Sequence, residues 1–132
     1  MYLSDSHPAS QAVWAFDYDV DSGVPSNRRL FVDMKSYPGR PDGATVDADA
    51  CYWTAANDAG LLLRFTPGGR LDRRIELPMA KPSMPCFGGA RLDTLLVTSI
   101  NPAPADNPDA AAGATVMLLP GVQGLPDTPF AF

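Results

Sequence analysis

RRLFVDM, at Arg28–Met34, recurs 45 residues later as RRIELPM at Arg73–Met79, and each copy runs into a proline-containing stretch. Upstream of each copy, VWAFDYDVDSG (Val13–Gly23) and LLLRFTPGG (Leu61–Gly69) share one form, an apolar strand closed by a tight turn. Further upstream, MYLSDS (Met1–Ser6), CYWTAA (Cys51–Ala56) and TLLVTS (Thr94–Ser99) fill equivalent slots. With GATVDA (Gly43–Ala48) and TVMLL (Thr115–Leu119), these runs alternate with Gly, Pro, Asn and Asp turn signals, and none has helical periodicity.

A period of about 40 to 50 residues made of four short strands is the signature of propeller blades, in which each four-stranded antiparallel sheet covers its neighbour's apolar face. Counting strands outward from the central channel, Met1–Met34 supplies a second, third and fourth strand. Ala44–Met79 supplies a complete blade, and Met84 to about Leu119 supplies a first, second and third. The reading is all-β, with about two and a half blades where a closed ring takes about four or more. An open stack leaves strand edges and blade faces uncovered, so self-association or a partner carrying the missing part is expected. Two copies joined end to end would bring three strands from each terminus to a blade that takes four.

Composition agrees. A chain of 132 residues, 45% hydrophobic and 19% charged, suffices for one modest core. Its 14 prolines and 11 glycines are spread between apolar runs, which suits many short strands and no helical bundle. A net charge of −5 argues against nucleic acid, which needs a basic stripe to neutralise phosphates, and against an anionic membrane surface. No apolar run approaches the ~18 residues of a membrane helix. MYLSDSHP lacks the basic and apolar segments of a signal peptide, so a cytoplasmic protein is expected. Cys51 and Cys86 sit in apolar surroundings without CxxC spacing and read as buried thiols.

In a propeller, the loops entering a blade's first strand and those joining its second strand to its third emerge on one face, around the channel. Here the first kind is Tyr37–Gly43 and Lys81–Gly88; the second is Asp5–Ser10, Asn57–Gly60 and Asn101–Gly113. Asp42, between Pro41 and Gly43 at the mouth of a first strand, is the best single candidate for a metal ligand or general base. The competing reading of PDG is a β-turn, with Asp bonding its own backbone and Gly supplying positive φ. Asp5, His7, Asn57 and Asp58 share the expected face as oxygen or nitrogen donors, and each is equally readable as a solvated loop residue. A rim of Asp and Asn oxygens with a single His suits a hard divalent ion such as calcium or magnesium better than structural zinc.

Other constellations fail. There is no GxSxG elbow, and His7 beside Ser6 has no third orienting group. The glycines of TPGGR and CFGGA lack the Lys or helix of a phosphate cradle. Trp14, Tyr18, Phe31, Trp53 and Phe65 read as core or blade-interface residues, and Arg28, Arg29, Arg73 and Arg74 as outer-strand charges that blunt a sheet edge. The Ala- and Pro-rich stretch Asn101–Gly113 reads as a long flexible loop.

VWAFDYDVDSGVPSNRRLFVDM, GRPDGATVDADACYW and GRLDRRIELPMAKPSMPCFGGARLDTLLVTS, in that linked order, resemble the second-half segments of the gluconolactonase and senescence-marker-protein family of sugar lactonases, which includes regucalcin. The resemblance implies a six-bladed propeller, residues 1–132 being a partial domain of C-terminal blades. It implies one divalent metal, calcium first, with zinc, manganese, magnesium or iron as alternatives, and a sugar lactone as substrate. The metal polarises the lactone carbonyl while a carboxylate base helps water attack. The family's PDG aspartate, ligand and proposed base, falls on Asp42. Its glutamate near the N-terminus and its asparagine just upstream of this segment have no counterpart here. The isolated chain is therefore expected to bind metal weakly and to have little or no activity. The alternative is a non-catalytic remnant or interaction module completed by another polypeptide.

Overall fold

The computed structural model describes residues 1–102 and 109–127 and contains three antiparallel sheets. The first is β1 (Tyr2–Asp5), β2 (Ala12–Tyr18) and β3 (Pro25–Asp33), in that order. The second is β4 (Arg40–Val46), β5 (Tyr52–Asn57), β6 (Leu61–Phe65) and β7 (Leu71–Glu76). The third is β8 (Pro82–Gly88), β9 (Thr94–Ser99) and β10 (Val116–Leu118). Among the described residues the only helical element is a 3-10 turn at Met34–Ser36, and no helix is long and apolar enough to cross a membrane. The three-four-three strand count is the one the repeat predicts. The complete sheet starts earlier than expected, however, at Arg40 and not at Ala44.

Alternation explains how the sheets stack, because successive strand residues point to opposite faces. In β5 and β6 every residue is buried, so the middle sheet is covered on both sides. Tyr52, Leu61, Leu63 and Phe65 join Val13, Val32 and Met34 in a core against the first sheet. The intervening Trp53 and Leu62 join Phe87, Leu95 and Val97 in a second core against the third sheet. Phe65 and Trp53 have no exposed surface, as an interface role requires. Tyr18 corrects that expectation: at the far end of β2 it is 47% exposed. Cys51 is buried and burial raises its thiol pKa, but Cys86 points outward from β8 and is exposed. Of the expected flexible loop at Asn101–Gly113, residues 103–108 lie outside the described residues.

The outward faces of the two end sheets are apolar. Leu3, Trp14 and Leu30 are register partners across the first sheet, and Cys86, Leu96 and Met117 across the third. Leu3, Leu30, Leu96 and Met117 are all exposed. Arg28 covers part of this surface, its guanidinium 4.7 Å from the Trp14 ring centroid.

Candidate functional site

Asp42 lies inside β4, not in a turn. Pro41 pairs with Ala56 and Ala44 with Thr54, so Asp42 and Gly43 together oppose the single residue Ala55. That two-against-one count is a β-bulge, which bends the strand and re-aims a side chain. Gly43 does not have positive φ. It is glycine for space: a Cβ there would lie 2.5 Å from the Ser83 carbonyl oxygen and 2.7 Å from Met84 Sδ. The β-turn reading of PDG is thereby overturned.

The third sheet repeats the device. Pro82 pairs with Ser99 and Pro85 with Val97, leaving Ser83 and Met84 against Thr98. Arg40-Pro41-Asp42-Gly43 thus corresponds to Lys81-Pro82-Ser83-Met84, the same cation-proline start repeated in the next sheet. The two bulges differ in chemistry. Ser83 Oγ lies 2.8 Å from Thr98 Oγ1, which also accepts from Met84 N at 3.2 Å, so that bulge is satisfied from within. The Asp42 bulge is not.

Asp42 Oδ2 accepts one hydrogen bond, from Asn57 Nδ2 at 3.1 Å. The second amide hydrogen of Asn57 goes to the Pro82 carbonyl at 3.0 Å. Both acceptors fix which end of the amide is nitrogen, since the flipped form would set an oxygen against a carboxylate and a carbonyl. Asn57 is 4% exposed, and its Oδ1 has no hydrogen-bond partner among the described residues. An unpaired buried acceptor of this kind costs about 1–3 kcal/mol.

Asp42 and Asn57 line a pocket of about 220 Å³ with Ser6, Arg40, Pro41 and Ile100. Asp42 also borders a shallower groove of about 390 Å³ between β1 and β4, lined by Tyr2, Ser4, Thr45 and Tyr52 among others. A larger hollow of about 440 Å³ surrounds Gly60, Arg74, Glu76 and Met79, but its Arg74 and Glu76 pair with each other at 3.5 Å and are exposed. Size does not make it the site.

The remaining donors named from sequence have other duties. Asp5 Oδ1 accepts from His7 N at 3.1 Å, and His7 Nδ1 accepts from Ala9 N at 3.2 Å, so both fold the β1–β2 turn on itself. The Ser10 side chain and the His7 backbone hold the Asp5 carboxyl below its ordinary pKa. Ser6, between them, is the residue that reaches the pocket. Asp58 is engaged by Lys81 and by Arg40 Nε at 2.8 Å, and Lys81 first, then Arg40, lowers its pKa. Arg40, the cation at the pocket, is therefore committed to Asp58.

The residues left to line the pocket are rich in acceptors: Asp42 with its carboxylate, Asn57 with an unpaired amide oxygen, and Ser6 with a hydroxyl. In kind these fit a hard, oxygen-seeking cation, which takes carboxylate, amide and hydroxyl oxygens. In number they supply part of a shell, and no group of three or more His, Cys, Asp or Glu suited to a metal occurs among the described residues.

The sequence profile of the SMP-30/Gluconolactonase/LRE-like region matches residues 1–101. The chain belongs to that family. The 6-deoxy-6-sulfogluconolactonase of Pseudomonas putida is 39% identical over 99 residues, covering 74% of this chain and 33% of that protein. Regucalcin of Sus scrofa is 34% identical over 135 aligned positions, covering 98% of this chain and 44% of that protein. The crystal structure of a calcium-binding protein, regucalcin from Agrobacterium tumefaciens, superposes with a TM-score of 0.80 at 26% identity. It takes in 94% of this chain and 43% of that one, so the chain spans less than half the length of these relatives. Lactone hydrolysis is an activity of this family, and the three stacked sheets are part of its propeller fold.

Proposed function

We propose that this family member contributes to metal-dependent hydrolysis of a sugar lactone to its aldonic acid, with Asp42 as cation ligand and general base. The observation that carries the reading is the bulge at Asp42–Gly43, which turns a half-buried carboxylate out of the ladder into an acceptor-rich pocket. A divalent cation, calcium before manganese, magnesium, zinc or iron, would supply Lewis-acid polarisation of the lactone carbonyl. Asp42 would hold that cation and take the proton of the attacking water at a carboxylate oxygen. The Asn57 amide holds one of its two oxygens, Oδ2, in place. Pro41 is buried and Gly43 is pressed against the Ser83 carbonyl, so the backbone carrying the carboxylate is held on both sides.

The residues described give few further ligands, so the expected turnover of the 132-residue chain is weak. Proton release from glucono-type lactones, with calcium, manganese or zinc added, should exceed the spontaneous rate and fall back to it in Asp42→Ala. Equal turnover in both proteins would sink the catalytic reading.

A second reading, an interaction module completed by another polypeptide, is favoured by the apolar rows on the end sheets, Leu3–Trp14–Leu30 and Cys86–Leu96–Met117. Light scattering after size exclusion should then show self-association or recovery of a complex. A monodisperse monomer that unfolds cooperatively argues against it.

A further inference from the structure

Asn57 was one of several loop donors named from the sequence, and the family resemblance assigns it nothing. The structure sets it apart from Asp5, His7 and Asp58, each of which is exposed or half-buried and already holds a hydrogen bond within its own loop or to a neighbouring cation. Asn57 has spent both amide hydrogens, on Asp42 Oδ2 and on the Pro82 carbonyl, and has spent its oxygen on nothing among the described residues. Asn57 is 4% exposed, its Oδ1 is shielded from bulk water, its amide nitrogen is bonded to the Asp42 carboxylate, and the residue lines the same pocket as Asp42.

Two features identify the kind of guest. Carboxylate, amide oxygen and hydroxyl are acceptors, so the group that satisfies them is electron-poor. The pocket's own cation, Arg40, is tied to Asp58 by Nε at 2.8 Å and Nη2 at 2.6 Å. The third sheet provides the control: the position that matches Asn57 there is Ile100, beside a bulge whose hydroxyls close on each other. The unpaired oxygen is thus a feature of the Asp42 bulge and not of the repeat.

We propose that Asn57 Oδ1 is a second oxygen ligand, beside Asp42, for a divalent cation in this pocket. The same amide would then do two jobs: its nitrogen holds one Asp42 oxygen in place, and its oxygen meets the ion. The proposal rests on the reading of the Asp42 pocket as a cation site, and it extends that site to a residue on β5.

The test is binding of manganese(II) to the full chain, read from the electron paramagnetic resonance of the free ion, in the unsubstituted protein and in Asn57→Asp, Asn57→Leu and Asp42→Asn. Asn57→Asp keeps an oxygen at Oδ1 and removes the N–H donors; Asn57→Leu removes both. Expected are affinity kept or tightened in Asn57→Asp, weakened about tenfold or more in Asn57→Leu, and lost in Asp42→Asn. Equal weakening in Asn57→Asp and Asn57→Leu would mean that Asn57 acts only through its N–H donors and would overturn the proposal. Unchanged binding in Asn57→Leu, with loss in Asp42→Asn, overturns this proposal alone and leaves the Asp42 reading standing. Binding that does not depend on Asp42 overturns both. Should Asn57→Leu fail to fold, Asn57→Asp decides: affinity kept or tightened supports the proposal, and loss overturns it.

Discussion

Asp42 and Asp47 sit five residues apart, one within β4 and one just past its end, and their surroundings could hardly differ more. Asp47 has no exposed surface. Its Oδ1 accepts from the backbone of Asp49 and Cys51, both at 3.0 Å, and its Oδ2 from Trp53 Nε1 at 2.8 Å and Arg64 Nε at 2.7 Å. Arg64 then reaches Asp49 at 2.8 Å and Asp72 at 2.6 Å. Burial alone would lower the Arg64 pKa, but hydrogen bonds to Asp72, Asp47 and Asp49 outweigh it and raise the value above its ordinary one. Asp42, by contrast, has one side-chain donor and a pocket in front of it. A buried carboxylate whose acceptor sites are all used has none left to offer a guest. One left partly unsatisfied in a cleft is free to bind.

The largest effect that would break this contrast is on the satisfied side. Arg64→Leu leaves Asp47 buried without its cation, and urea unfolding should show a loss of about 3–5 kcal/mol. A loss under about 1 kcal/mol would mean that the Asp47 cluster is a surface-grade ion pair. Next is Gly43→Ala, whose methyl meets the Ser83 carbonyl. Overpacking there should cost about 1–3 kcal/mol and, by shifting the bulge, weaken any Asp42-dependent cation binding. A stable protein with unchanged binding would show that the bulge does not aim Asp42.

A smaller effect sharpens the comparison through pH. The Arg64 hydrogen bond lowers the Asp72 pKa, and the Lys81 hydrogen bond does the same for Asp58. A carboxylate depressed in the folded state adds stability above its unfolded pKa, near 4, and that stability is lost as pH falls through the folded value. Midpoints should therefore be flat near neutrality and drop below about pH 4. Asp72→Asn should shallow that drop, and an equally steep drop in the variant would remove Arg64–Asp72 as its source.

Much of the fold was legible because strands and turns are local. Alternating apolar runs and Gly, Pro and Asn punctuation gave the three-four-three strand count and the order of the sheets. Asp42 was legible as a residue but not in its setting. A bulge is defined by what lies opposite, and Ala55 stands thirteen residues further along. The Asp47–Arg64 cluster escaped for the same reason, since nothing near either residue in sequence reveals that a charge on β6 folds under one beside β4. Tyr18 and Cys86 were misread as buried because strand period alone does not say which end or face of a sheet is covered. The unpaired oxygen of Asn57 could only be seen with every donor around it in place.

The central claim is that Asp42 serves binding and Asp47 serves folding, and calorimetric unfolding of Asp42→Asn and Asp47→Asn, each in chelator and in excess calcium, tests it most directly. In chelator, Asp42→Asn should unfold with the unsubstituted chain, and calcium should not raise its midpoint. Asp47→Asn should unfold several degrees lower while keeping the calcium-induced rise. A midpoint in chelator that falls as far in Asp42→Asn as in Asp47→Asn, or a calcium shift that survives the loss of Asp42, would contradict the account.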